Sequence, residues 1–212
     1  MASPTRAPRR VGAETSKTRD QLLDCVERLM LDKGYAGVSY RAVATSAGVT
    51  SGLVHYYFPT LDDLFVAAIR RRGEQILARV AAALEARADE PLRVLWEFSQ
   101  EESIAALTTE FLALGNHRKS IRSEIADNTE RVREVQLRAV EAKYGKDGIG
   151  GGSLSPTAFL FVLTGIPKLI RLEESVGAST AHADAMDAFE RYLDALEPAK
   201  PAVPGRRKKR VG

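Results

Sequence analysis

The sequence predicts an all-α protein of about nine helices. Apolar residues recur at helical spacing along successive segments, and a capping Ser or Thr, a Gly or a Pro stands between them. The chain has 212 residues, of which 44% are hydrophobic, so one large or two small domains can form around a buried core. The most apolar run, 158–163, is too short to span a bilayer. Because no apolar stretch follows the basic N-terminus as in a signal peptide, we expect a cytoplasmic protein.

Residues 39–58 predict a helix-turn-helix. Ser39 is placed to cap a first short helix, and Gly48 allows the left-handed backbone of a tight turn. Thr50 is placed to cap a second helix, which Pro59 prevents from continuing. In such a motif the second helix enters the DNA major groove. Taken alone, the segment would also suit an ordinary helical hairpin.

The segments on both sides of this motif extend the pattern. The preceding helix carries one apolar stripe, and a fourth helix starts soon after the motif. In order, the matching pieces are Leu22, Leu23, Val26, Leu29 and Met30, then 34–39, 41–44 and 47–52, then Val54, Tyr57, Phe58, Pro59 and 62–64. Through these pieces, residues 18–64 resemble the N-terminal DNA-binding domain of the TetR family of transcriptional regulators. The rest of the chain is similar to that family only in length and in its run of amphipathic helices.

The motif and the resemblance together predict that DNA contacts the stretch 39–56. The expected contact residues are Ser39, Tyr40, Arg41, Thr50, Ser51, Gly52, Leu53, His55 and Tyr56. Gly52 lets DNA approach the backbone closely, and Leu53 suits a thymine methyl group. The family usually has Tyr at the position of His55 and Lys at that of Leu61, and both commonly contact phosphates. The missing Lys removes one phosphate contact, whereas His55 can still donate a hydrogen bond and could make binding pH-sensitive.

The charge is unevenly distributed along the chain. Residues 1–58 hold eight basic and five acidic side chains, and residues 198–212 hold six basic ones and no acidic one. The middle of the chain is therefore acidic, although the whole chain carries a net charge of +3. This distribution indicates a polyanionic partner for the ends only. We expect a disordered basic arm at 1–14 and a disordered basic tail at 198–212, each of which either neutralises phosphates or is merely a solvated tail.

Two domains are expected between these ends. Residues 15–60 would form the helix-turn-helix domain, and residues 61–197 a helical domain for effector binding and dimerisation. A fourth helix that opens with a capping pattern at Thr60 would link them. At about 26 residues it would span roughly 40 Å, which makes it the natural lever between the domains.

The resemblance implies that the helical domain holds a small hydrophobic effector, whose binding changes the affinity for DNA. The candidate lining residues are Trp96, Phe98, Leu107, Phe111, Leu114, Asn116, His117, Phe161, Gly165 and Ile166. Each of them could instead belong to the plain core. Apolar walls with a few polar groups suit a mid-sized ligand with a polar end. The run 116–118, Asn-His-Arg, could hold a carboxylate there or could simply form a helix junction.

The resemblance also implies a homodimer in which the last two helices pair with those of the second copy. The expected interface residues are Ile170, Met186, Phe189, Tyr192, Leu193 and Leu196. These residues could instead complete the core of the monomer. A dimer would place two recognition helices about one DNA turn apart, on a palindromic operator.

Catalysis, cofactors and metals are not expected. The three His residues are scattered, and neither a zinc-protease motif nor a nucleophile elbow is present. The Gly-rich run 145–155 lacks the preceding strand and the Gly-Lys-Ser/Thr ending of a phosphate-binding loop. Cys25 is the single cysteine and lies on an apolar stripe, so it is a buried hydrophobe or a redox sensor.

We therefore expect a one-component transcriptional regulator with no membrane partner, and specifically a repressor that a small hydrophobic effector releases from double-stranded DNA. The same residues suit an activator. The other alternative is a DNA-binding regulator whose helical body serves only for dimerisation or for a protein partner.

Overall fold

The computed structural model describes residues 17–149 and 154–198. Within these ranges the chain forms nine α-helices and one short 3-10 helix and contains no strand, so the predicted all-α fold is confirmed. The arm expected at 1–14 lies outside the described residues, as does the tail expected at 198–212 except for Pro198. None of the helices in the described part of the chain combines the length and the apolar character that a membrane-spanning segment needs.

The helices follow one another with short connections. Their bounds are α1 Lys17–Lys33, α2 Tyr40–Ala47, α3 Ser51–Tyr57, α4 Leu61–Ala86, α5 Pro91–Gln100, α6 Glu102–His117, α7 Lys119–Tyr144, α8 Pro156–Glu174 and α9 His182–Leu196. The 3-10 turn Tyr35–Gly37 connects α1 to α2.

Local capping explains where the first helices begin and end. The hydroxyl of Ser39 accepts a hydrogen bond from the backbone N–H of Ala42, and the hydroxyl of Thr50 accepts one from that of Leu53. Gly48 ends α2 in the left-handed conformation, with φ of 68°. A reciprocal capping box between Thr60 and residue 63 begins α4. The predicted helix-turn-helix and the predicted start of α4 are thus confirmed.

One core cluster, which we call the head core, joins the first three helices to the rest of the molecule. Its buried residues come from α1, α2, α3 and the first half of α4, including Leu22, Val43, Val54 and Phe65. Buried side chains of α6 and α7 complete the same cluster, among them Leu107, Phe111, Leu114, Ile121 and Ile125. The apolar packing therefore continues across the expected domain boundary at residue 60. Helices α1 to α3, which we call the head, share this core with the remaining helices, which we call the body.

A second cluster, which we call the body core, fills the space between the second half of α4 and helices α5, α7, α8 and α9. Trp96 lies at its centre and is 2% exposed. The ring of Phe189 stacks on the Trp96 ring at a centroid distance of 4.9 Å. Leu163 and Leu193 are completely buried in this cluster, which fastens α8 and α9 to the body.

Helices α4 and α7, of 26 residues each, pack against one another over much of their length. The side chain of Asn128 packs against the backbone of α4 at Gly73, where a Cβ atom would lie 1.8 Å from Oδ1 of Asn128. Only a residue without a side chain fits there while Asn128 keeps its position. The glycine therefore leaves the room that Asn128 occupies between α4 and α7.

A buried carboxylate fastens the end of α9 to the start of α5. Glu197 is 3% exposed, and its two oxygens accept hydrogen bonds from the backbone N–H groups of Leu92 and Arg93 at 3.1 and 2.8 Å. Nζ of Lys143 and the hydroxyl of Tyr144 donate to the same carboxylate at 2.9 and 2.8 Å. Burial and, next, the hydrogen bond to Glu197 raise the pKa of Tyr144 above its ordinary value. The carboxylate thus satisfies two N–H groups at a helix N-terminus that no neighbouring residue caps.

We expect Glu197→Gln to lower the free energy of unfolding by about 2 kcal/mol, because the amide replaces a charged acceptor with a donor that faces other donors. Chemical denaturation of the purified variant measures this loss. Asp187→Asn is the matched control, since Asp187 lies on the exposed side of α9. Equal stability of the Glu197 variant, the control and the wild type would contradict the role assigned to this carboxylate.

We expect Gly73→Ala to destabilise the protein by about 1–3 kcal/mol through overpacking, although alanine favours helix formation by nearly 1 kcal/mol. Adding Asn128→Ala removes the atoms that the new methyl group meets and should restore most of the lost stability. Denaturation midpoints of the single and double variants test this coupling. If the Gly73→Ala variant were more stable than the wild type, the contact between residue 73 and Asn128 would not constrain the packing of α4 against α7.

Candidate nucleic-acid interface and effector cavity

Helices α2 and α3 present one buried and one exposed face. Val43 and Val54 pack into the head core and hold the two helices together. All nine residues predicted to contact DNA lie on the stretch 39–56. Seven of them are exposed, namely Ser39, Arg41, Thr50, Ser51, Gly52, His55 and Tyr56, whereas Tyr40 and Leu53 are half-buried. The exposed residues therefore extend from the start of α2 through the N-terminus of α3.

Tyr40 positions α3 relative to α2. Its hydroxyl donates a hydrogen bond to the carbonyl of Phe58 at 2.9 Å, directly after α3. Its ring meets the His55 ring edge to face at a centroid distance of 4.8 Å. Burial and, next, the charge of Asp63 raise the pKa of Tyr40. The structure thus gives Tyr40 a structural role that the sequence did not reveal, and its expected DNA contact stays a prediction.

Arg41 and Tyr56 are the most prominent exposed side chains of this face. Arg41 makes no ion pair with any residue of the described ranges. Tyr56 is 50% exposed, and its ring is held edge-on against that of Tyr57. Leu61 packs against the head core, at the position where the family usually has a phosphate-binding Lys. A free cation and an anchored aromatic ring are therefore available at the surface for a partner.

A cavity of about 300 Å³ lies between α4, α5, α6, α7 and α8. Three of the ten predicted pocket residues line it, namely Phe98, Leu107 and Phe111. Much of the remaining wall comes from α4 and α7, which the sequence-based prediction did not include. Those helices contribute apolar side chains such as Ile69 and Val132, as well as polar ones.

The other seven predicted pocket residues lie elsewhere. Trp96 is buried in the body core and Leu114 in the head core, so neither lines the cavity. Ile166 packs at the edge of the body core, and Gly165 is half-buried on the same helix without lining the cavity. Phe161 is 63% exposed, with the guanidinium of Arg133 over its ring at 5.6 Å. Asn116 and His117 are exposed at the end of α6.

The run 116–118 forms the junction of α6 and α7 and lies outside the lining of this cavity, so its contact with the polar end of a ligand stays a prediction. The His117 ring stacks on Tyr35 at a centroid distance of 5.7 Å. Arg118 pairs with Asp62 at the start of α4. Hydrogen bonds from Ser120 and then from Arg118 lower the pKa of Asp62, despite its partial burial. The junction therefore fastens the body to the head.

The polar side chains of the cavity come from all five helices around it, a combination that the prediction did not include. They are Arg72, Ser99, Thr108, Asn128, Thr129, Arg133, Gln136, Thr164 and Lys168. In sequence they are ordinary polar positions, because only the packing of the five helices brings them together. Gly73 in the middle of a long helix is the signal that could have located this region, since a mid-helix glycine often marks close packing.

The six predicted interface residues divide between core and surface. Leu193 is completely buried, and Met186, Phe189 and Leu196 pack at the edge of the body core. Ile170 is half-buried, and Tyr192 is 44% exposed. A larger apolar surface lies on α8 and just after it, formed by Phe161, Val162, Leu169, Leu172 and Val176. We call it the α8 face.

The described residues contain no cluster of three or more His, Cys, Asp or Glu side chains that could hold a metal ion. Cys25 is buried in the head core, where Nη2 of Arg28 lies 3.1 Å from its sulfur. This position agrees with the interpretation of Cys25 as a small buried hydrophobe.

Comparison with known proteins relates this architecture to one family. The profile of bacterial regulatory proteins, tetR family, matches residues 22–68. The chain is 27% identical over 188 residues to the transcriptional regulator BetI of Rhizobium meliloti, an alignment that covers 83% of this chain and 92% of BetI. Five further curated regulators match over only 29–41% of their own length.

Solved structures extend the likeness over most of the chain. A TetR-family member from Streptomyces coelicolor A3 is 28% identical with a TM-score of 0.60, covering 87% of this chain and 100% of that one. The multidrug binding protein EbrR, complexed with proflavin, is 30% identical with a TM-score of 0.55, covering 82% of this chain and 99% of that one. The helix-turn-helix, the helical body and these matches agree, and the chain belongs to the TetR family of bacterial regulatory proteins.

Proposed function

We propose that this protein is a one-component transcriptional repressor that binds an operator through α2 and α3 and is released by a small effector in the cavity. The observation that carries the proposal is the exposed face of 39–56 on a helix-turn-helix that is rigidly packed on the head core. Three of the curated relatives are named transcriptional repressors. Such a protein would act in the cytoplasm, where the DNA is, and would not be an enzyme.

The contacts to DNA are proposed from exposure and chemistry. The N-terminus of α3 offers Thr50, Ser51 and Gly52, and at Gly52 nothing but the Thr50 hydroxyl lies near the place of a Cβ atom. Backbone there is open to close approach by a phosphate or a base edge. Arg41 is the only one of the nine residues with a guanidinium that can pair with guanine through two hydrogen bonds. Specificity therefore also depends on van der Waals contacts and DNA shape.

Binding to a palindromic operator requires two copies of the chain. The α8 face gives them a surface to share, since its apolar side chains are exposed in the monomer. Tyr192 of α9 adds to this surface, whereas Leu193 cannot, because it is completely buried. A two-fold axis at α8 and α9 would pair these helices with their copies and present both α3 helices to successive major grooves.

The cavity is proposed as the effector site, and α6 as the element that connects it to the head. Leu107 and Phe111 line the cavity, while Oε2 of Glu110 on the same helix accepts a hydrogen bond from the backbone N–H of Tyr35 at 2.7 Å. A ligand that shifts α6 would therefore shift the connection between α1 and α2. The complex of EbrR with proflavin supports a small organic ligand in a related protein.

We expect Arg41→Ala to weaken binding to the operator by about 1–3 kcal/mol and Tyr56→Ala to weaken it to a lesser extent. The operator is first selected from fragments of the source genome by the purified protein, and affinity is then measured by fluorescence anisotropy at several salt concentrations. Arg131→Ala, an exposed arginine of α7, is the control. Helix content and dimerisation should not change in any variant.

The proposed DNA face would be overturned if the Arg41 and Tyr56 variants bound the operator as tightly as the control does. If the selection returned no inverted repeat and binding depended only on salt, affinity would reside in the basic ends of the chain. A regulator without an effector would bind the operator but would not be released by any ligand of the cavity.

We expect Leu169→Glu combined with Leu172→Glu to split the dimer without unfolding the monomer, because the two side chains are 57% and 49% exposed. Analytical ultracentrifugation measures the mass, and circular dichroism reports the helix content. The control is Leu31→Glu, which places one such charge at a leucine of α1 that is 45% exposed. A variant that remains dimeric would place the interface elsewhere.

A further inference from the structure

The cavity between α4 and α8 carries charge of one sign. Three of its lining side chains are cationic, namely Arg72 of α4, Arg133 of α7 and Lys168 of α8. No Asp, Glu or His of the described residues lines it. The remaining polar groups are neutral amides and hydroxyls, and the rest of the wall is apolar. An occupant therefore meets positive charge with no acidic side chain beside it, in a wall of apolar and neutral polar groups.

The cations of the cavity have no buried carboxylate partner among the described residues, and the guanidinium of Arg133 lies over the exposed ring of Phe161. Arg72 makes no ion pair with any described residue, and its buried Nε has no hydrogen-bond partner there. Lys168 is an exposed residue of α8 that likewise makes no ion pair within the described ranges, and desolvation and, next, the charge of Arg133 lower its pKa. Arg133 reaches a carboxylate of Glu130 at 3.5 Å, but that side chain is 71% exposed, so the attraction is weak.

An anion would relieve this arrangement. Arg72 and Arg133 are partly buried without a buried counter-ion, which is costly, and Arg133 repels its exposed neighbour Lys168. A carboxylate near Arg133 and Lys168 would accept hydrogen bonds from both and cancel their repulsion. The cavity also contains Ile69, Leu107 and Phe111, which would surround an apolar body.

We propose that the cavity binds an amphipathic organic anion, with its charged end near Arg133 and Lys168 and its apolar body among the side chains of α4 and α6. This inference rests on the proposed effector site and specifies the charge of its ligand. Since an apolar cavity of about 150 Å³ binds benzene, one of about 300 Å³ suits a body of roughly a dozen heavy atoms. The charged end thus lies at α7 and α8, away from the junction at 116–118.

Three probes of equal chain length test the sign of the charge. Decanoate, 1-decanol and decyltrimethylammonium are titrated separately into the full-length protein and measured by isothermal calorimetry. We expect decanoate to bind at least about tenfold more tightly than decanol, since hydrogen bonds between charged groups are stronger than those to a neutral hydroxyl. The cation should bind more weakly than decanol. Failure of decanoate to bind, or equal or tighter binding of either other probe, would overturn the proposal.

Variants separate charge from packing. Lys168→Met should lower the affinity for decanoate about tenfold and leave that for decanol within about twofold, since methionine keeps most of the apolar stem. Arg133→Met is the second variant and should act in the same direction. Arg131→Met on α7 is the control, because Arg131 is exposed and does not line the cavity. An equal loss of affinity for decanoate and decanol in both cavity variants would show a packing effect and contradict the inference.

Operator binding is measured with the same probes, so that the two proposals can fail separately. If decyltrimethylammonium or decanol released the protein from its operator and decanoate did not, the repressor function would stand and the anion preference would be wrong. If decanoate bound in the cavity without changing the affinity for the operator, the anion site would stand and its role as an effector site would be wrong. Release by decanoate that Lys168→Met weakens would support both.

Discussion

Helix α4 is buried in both hydrophobic cores and joins them. Leu64 and Phe65 at its start belong to the head core, and Val80 and Leu84 near its end belong to the body core. Between these two anchored halves, the side chains around Gly73 face the cavity. The cavity therefore lies where the packing of one cluster ends and that of the next begins, and an occupant would contact the helix that joins them.

Helices α1 to α3 do not form an independent domain that α4 alone joins to the other helices. Side chains of α6 and α7 complete the head core, and polar contacts at two places reinforce the attachment. Glu110 of α6 holds the backbone of Tyr35, and Asp62 of α4 binds both Arg118 and Ser120 at the α6–α7 junction. Because packed interfaces have discrete arrangements and do not deform continuously, a shift of α6 would move the head as a body. This attachment is the physical basis of the coupling that we propose between the cavity and the exposed face of 39–56.

The structural features that depend only on residues close together in the sequence were predictable. The caps at Ser39 and Thr50 and the left-handed Gly48 follow from local stereochemistry, and the structure has all three. The exposed face of 39–56 follows from them, since the register of two short helices decides which side chains are buried. The contacts of α4 with the end of α6, the role of Glu197 and most of the cavity wall were not predictable, because each joins helices that are far apart in sequence.

Patterns of contiguous residues were enough to predict an all-α chain of about nine helices, the helix-turn-helix and the family, because helical periodicity, capping and a short ordered motif are local properties. What fills the space between the helices depends instead on packing between distant segments. This packing buried Trp96 and Leu114 in the cores, turned Phe161 outward, and brought Arg72, Arg133 and Lys168 to one cavity. The physical reason is that a helix specifies the face on which a residue lies, whereas the neighbour that covers this face depends on how all the helices pack.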